Sequence, residues 1–107
     1  MTDQKKTRRQ VLEEFVENSP ADAFSRYGLA MECMSGGDAP AALRNFALLL
    51  EQNANYIPAY LMYGQLLVRE ARPDEAKQVL SKGISIATKT GDQHAASEME
   101  GLLSELS

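Results

Sequence analysis

The sequence predicts an all-α fold, a stack of helix pairs, and three observations carry that reading. Apolar residues recur at i, i+3, i+4 and i+7 through most of the chain, the period of a helix with one buried face. Pro, Gly, Asp and Asn gather in short clusters between these stretches and punctuate them as turns. The stretch 57–87 reads as helix, turn and helix, and 21–53 repeats its plan; such self-similarity marks a solenoid. The one alternating segment, Ile84-Ser85-Ile86, is too short to argue for a strand in a helical context.

The elements follow in order. Residues 1–8 read as a disordered basic tail. Over residues 9–17, Val11, Leu12, Phe15 and Val16 form a stripe with Glu13, Glu14 and Glu17 opposite, a short amphipathic helix. Ser19 as N-cap, Pro20 at the first helical position and Asp22 reaching back start a second helix. It runs to about residue 34 with Phe24, Tyr27, Gly28 and Met31 on its inner face. Ser35-Gly36-Gly37-Asp38 is the turn, and Asp38 caps a third helix to about Gln52 with Ala42, Leu43, Phe46, Leu49 and Leu50 inward.

Asn55 is the expected N-cap of the fourth helix, whose packing face holds Tyr60, Tyr63, Gly64 and Leu67. Glycine inside a helix costs about 1 kcal/mol relative to alanine, so Gly64 implies close approach of a neighbouring helix. This helix stops near Ala71-Arg72, because Pro73 disfavours the α conformation just before it and suits the first turn of the next helix. The fifth helix turns Ala76, Val79, Leu80, Gly83, Ile84 and Ala87 inward. Asp92 caps a sixth, Gln93 to about Leu106, whose stripe Met99, Leu102, Leu103 and Leu106 occupies only its second half. The domain is thus 9–107, with repeats at about 20–54 and 56–90 and a capping helix at 92–106.

Composition bounds what such a chain does. A length of 107 residues suits one modest domain, and 24% charged with 44% hydrophobic residues is ordinary for a soluble globular protein. No apolar run approaches the length of a membrane span or a signal peptide, so a cytoplasmic location and no membrane partner are expected. One cysteine excludes an internal disulfide. Beyond residue 10 there are 7 basic and 14 acidic residues (11 − 4 and 15 − 1), which disfavours nucleic acid as a partner.

Chemistry has little support. His94 and Cys33, each the sole residue of its kind, fall on different helices, and nothing enforces the hydrogen-bond contact a nucleophile and base require. A zinc site would lack its usual ligands. Gly36-Gly37 is not followed by the Lys-Ser/Thr of a phosphate loop. No enzymatic activity, cofactor or metal is expected.

Set side by side, FSRYGLAM (24–31) matches YLMYGQLL (60–67), and Ala42 stands 34 positions before Ala76 (76 − 42). On this match the first hairpin carries two extra residues, placed in the Gly36-Gly37 turn. The pattern resembles the tetratricopeptide repeat family. Its signature places are held by Phe24, Tyr27-Gly28, Met31, Ala42, Phe46 and Leu49, then by Tyr60, Tyr63-Gly64, Leu67, Ala76, Leu80 and Gly83. Tyr at the usual Leu position and Ala54 at the closing Pro position depart from it.

The resemblance implies a TPR-like α-solenoid of two helix-turn-helix repeats plus N- and C-terminal capping helices, the first helix of each pair lining a concave groove. The implied function is a protein–protein interaction module binding a peptide or protein segment there. The groove-facing places fall at Asp22, Ser25, Leu29, Glu32 and Cys33, then at Pro58, Leu61, Met62, Gln65 and Arg69. Ser25, Leu29 and Met62 stand where some family members carry Lys and Asn for a chaperone's C-terminal carboxylate, so that activity is not expected. The alternative is a self-associating module, a homodimer joined through its terminal helices with no open groove.

Overall fold

The computed structural model describes residues 5–106. Six helices and no strand occur among them: α1 (Arg8–Asn18), α2 (Ala23–Ser35), α3 (Ala39–Gln52), α4 (Ile57–Arg69), α5 (Pro73–Thr90) and α6 (Gln93–Glu105). Each helix packs on the next, α4 also touches α6, and the whole measures 56 × 28 × 20 Å.

Caps set the boundaries. Thr7 opens α1 with a capping box: its hydroxyl accepts from Gln10 N at 3.1 Å, and the Gln10 side chain accepts from Thr7 N at 2.8 Å. The helix therefore takes in the end of the stretch read as a disordered tail, whose first four residues lie outside the described ones. Asp38 and Asp92 cap α3 and α6, as expected, by accepting from Ala41 N and Ala95 N. The start of α2 falls later than the sequence implies. Ser19 and Pro20 stay outside the helix, Asp22 is the N-cap, and its carboxylate accepts from the Ser25 hydroxyl instead of a backbone N–H. Tyr56, not Asn55, holds the N-cap of α4.

The repeat is 34 residues long with no insertion. Ala23 and Ile57 open α2 and α4, and Ala39 and Pro73 open α3 and α5 (57 − 23 and 73 − 39). Turn hydrogen bonds recur at the same interval: Asp22 N to Ser19 O answers Tyr56 N to Asn53 O, and Asp38 N to Cys33 O answers Arg72 N to Leu67 O. The two extra residues sit at the other end, where the cap-to-cap step from Arg72 to Asp92 is 20 against 18 from Asp38 to Tyr56.

This corrects the register of α2. Its buried positions are Arg26, Leu29, Ala30 and Cys33, equivalent to Tyr60, Tyr63, Gly64 and Leu67. Tyr27-Gly28 resembles Tyr63-Gly64 but lies two residues out of step. A Cβ added to Gly64 would stand 2.6 Å from Leu80 Cδ2 of its own hairpin, whereas one at Gly28 would meet Leu12 of α1.

Two buried clusters make the core. One gathers Leu29, Ala30, Cys33, Ala42, Phe46 and Leu49 between α2 and α3, joined by Ala59 and Leu66 of α4 and flanked by Leu12 and Val16 of α1. The other gathers Tyr60, Leu80, Ala87, Ala96 and Met99. Leu102, Leu103 and Leu106 pack partly against that second cluster, so the stripe of α6 is largely used within the chain.

Candidate peptide-binding face

The site residues expected from the sequence fall into two groups. Leu29 and Cys33 are 6% and 1% exposed, sealed in the first cluster, and cannot line an open groove in this structure. Burial also pushes the Cys33 thiol pKa up, which keeps it protonated. Leu61 and Met62 are half-buried, packed against the second and first clusters respectively. Ser25 is tied to Asp22, and Glu32 pairs with Arg8 at 3.3 Å. Gln65, Arg69, Asp22 and Pro58 are exposed.

The two-residue register error explains the first group. Carried back by 34, the outward positions Pro58, Leu61, Gln65 and Arg69 of α4 correspond to Phe24, Tyr27, Met31 and Ser35 of α2. Those residues, with Arg8, Gly28 and Glu32, line an open depression of about 440 Å³. Phe24 is 76% exposed, the most accessible large apolar side chain among the described residues. The signal that finds this face is the interval from Ala42 to Ala76, applied to the preceding helices.

Packing fixes the shape of the depression. Tyr27 sits edge-on to Phe46 with centroids 6.4 Å apart and tilts against Tyr56 at 5.2 Å, so its ring is held at the step from α2 to α4. Burial, followed by the neighbouring Tyr56, raises its phenol pKa, so the ring stays neutral. On α4, the Arg69 guanidinium reaches the Met34 carbonyl at 3.4 Å and has no carboxylate partner among the described residues. With the cap of α6 set 36 residues after that of α4, the matching places on α6 are His94, Ser97, Gly101 and Glu105, all exposed.

The face therefore grades from aromatic and thioether groups on α2, through a mixed strip on α4, to small and polar groups on α6. His94 lies on α6 against Glu98, at 3.2 Å, and Cys33 is buried on α2. No group of three His, Cys, Asp or Glu able to hold a metal occurs among the described residues, and no helix is long and apolar enough to cross a membrane.

Comparisons with known proteins agree with this architecture. The tetratricopeptide repeat family model matches residues 34–98. A TPR repeat-containing protein of Pseudomonas aeruginosa is 29% identical over 97 residues, covering 89% of this chain and 90% of that protein. The solution structure of a tetratricopeptide repeat domain protein from Salinibacter ruber is 33% identical, with a TM-score of 0.77 over 82% of this chain and 89% of that one. The TPR2B domain of yeast Sti1, solved in complex with an Hsp70 ligand, shares the fold at 16% identity, with a TM-score of 0.85 over 92% of this chain and 78% of that one. With its 34-residue helix pairs, its small-residue crossings at Gly64 and Gly83 and a family match over more than half its length, the chain belongs to the tetratricopeptide repeat family.

Proposed function

We propose that this chain binds an extended protein segment across the outward faces of α2, α4 and α6, seating an apolar side chain at Phe24, Tyr27 and Met31 and an acidic group at Arg69. The tetratricopeptide repeat fold is a module for protein–protein contact, and a neighbour of the same fold is recorded with a bound Hsp70 ligand. The observation that carries the reading is Phe24. A phenyl ring left 76% exposed, beside an open depression and at a position the core does not use, is a contact in waiting. Arg69 adds an uncompensated cation one repeat along, which favours a carboxylate in the ligand.

The alternative, self-association through the terminal helices, has less to work with. Met99 is fully buried within its own chain, and Leu102, Leu103 and Leu106 are partly so. An array of short synthetic peptides tests the reading. The wild type should select sequences pairing an apolar residue with a nearby Asp or Glu. Phe24→Ala and Arg69→Ala should each weaken the selected peptide several-fold with the melting temperature unchanged. Selection that ignores both substitutions would overturn it.

A further inference from the structure

The outer face of α3, on the second helix of its pair and away from the peptide face, carries a pattern the fold does not require. Leu48 is 37% exposed, one of three large apolar side chains that stand open among the described residues. Around it lie Arg44, Ala47 and Glu51, at i−4, i−1 and i+3, which share one side of the helix. Arg44 and Glu51 are both exposed, and neither forms an ion pair or hydrogen bond within the chain. The equivalent places on α5, 34 residues on, are Gln78, Ser81, Lys82 and Ser85, so the repeat itself asks for neither the leucine nor the charge pair.

We propose that this face is a two-fold interface between two copies of the chain, with α3 antiparallel to α3 of the second copy. Arg44 and Glu51 lie equally far on either side of the midpoint between residues 47 and 48. A two-fold axis through that midpoint therefore sets each Arg44 opposite the Glu51 of the other copy and makes two ion pairs from one sequence. Seven residues of helix span about 10 Å, so the two pairs flank a central strip without crowding it. In that strip each Leu48 meets its mate, and Ala47 on both helices allows close approach. The surface is self-complementary in charge, which selects a second copy over a partner of uniform charge. A single helix pair buries little area, so the dimer is weak, with a dissociation constant on the order of 10–100 µM.

Sedimentation equilibrium of the full chain over a concentration series tests this. The wild type should move from monomer to dimer and stop there, with weaker association at high salt. Arg44→Glu and Glu51→Arg should each weaken association about tenfold or more, because each places like charges together twice per dimer. The double variant should return to within about threefold of wild type, since swapped charges restore both pairs. Helical content by circular dichroism should be unchanged in all of them, as both positions are exposed. A wild type that stays monomeric to about 1 mM, an association indifferent to Arg44→Glu, or a double variant no better than the singles would each overturn the proposal.

Discussion

Arg26 and Tyr60 stand 34 residues apart and make the same contact. Each reaches back six residues to a carbonyl, Arg26 Nη2 donating to Pro20 O at 3.2 Å and the Tyr60 hydroxyl donating to Ala54 O at 2.6 Å. One is a charged side chain 7% exposed, the other a ring 1% exposed, and both pin the loop before their helix to the helix itself. Arg26 makes a second bond, from Nη1 to Asn45 Oδ1 at 3.1 Å, while its Nε has no partner.

That difference predicts a contrast. Tyr60→Phe should cost about 1 kcal/mol, the net value of one buried hydrogen bond. Arg26→Ala should cost about 2–3 kcal/mol, from lost charged hydrogen bonds and lost stem packing. Arg26→Met keeps the stem and removes a buried charge, and should stay within about 1 kcal/mol of wild type. Urea denaturation of the three variants reads all of these, and Arg26→Met as damaging as Arg26→Ala would contradict the account.

The helix crossings give a second prediction. An added Cβ at Gly64 would lie 2.6 Å from Leu80 Cδ2 and 2.8 Å from Leu80 Cγ, with Leu80 itself fully buried. Gly64→Ala should therefore destabilise by about 1–3 kcal/mol through overpacking, and Gly64→Leu by more. At Gly28 the nearest atom is the tip of the half-buried Leu12, 3.2 Å away on a terminal helix. There the helical preference of alanine offsets the contact, and Gly28→Ala should lie within about 0.5 kcal/mol of wild type. Thermal melts of the pair decide it.

The turns give a third. Gly37 has φ +83° and Ala71, its equivalent in the second repeat, has φ +60°, both in the left-handed region. Alanine is strained there and glycine is not. Ala71→Gly should raise stability by about 0.5–1 kcal/mol, whereas Gly37→Ala should lower it by about 1 kcal/mol. Opposite shifts in denaturation midpoint are the expected result.

Asp38 links stability to pH. Its carboxyl is held below the ordinary carboxylate range, first by the hydrogen bond from Arg9 at 2.9 Å and then by Ala41 N–H. With the folded value below the unfolded one, its contribution is present above the ordinary carboxylate pKa and disappears as pH falls through the depressed value. The gap in melting temperature between wild type and Asp38→Asn should therefore be widest near neutrality and shrink in acid. A gap that does not vary with pH would show that the Arg9 contact adds nothing.

Much of this fold is legible in the sequence, because helical periodicity, prolines and aspartate caps are local signals. Pro73 opens α5, and Asp38 and Asp92 cap α3 and α6, where the residue types alone place them. The register of α2 is harder, since Tyr27-Gly28 imitates Tyr63-Gly64 while an arginine holds the place of the buried ring. Which side chain a helix buries is settled by its neighbours, and α1 against Gly28 supplies a contact that no local pattern encodes. The same two-residue offset places Leu29 and Cys33, which are buried, on the outward face and leaves out Phe24 and Met31, which line its depression.

The even spacing of α2 to α5, and its loss at α6, bears on how such a protein can lengthen. A tandem duplication of one 34-residue unit inside the chain would meet a ready-made seat on both sides, because each junction would copy one that already exists. At the far end the 18-residue α5 and the left-handed Gly91 turn make a different junction, so a unit added there would meet a seat that the interior repeats do not copy.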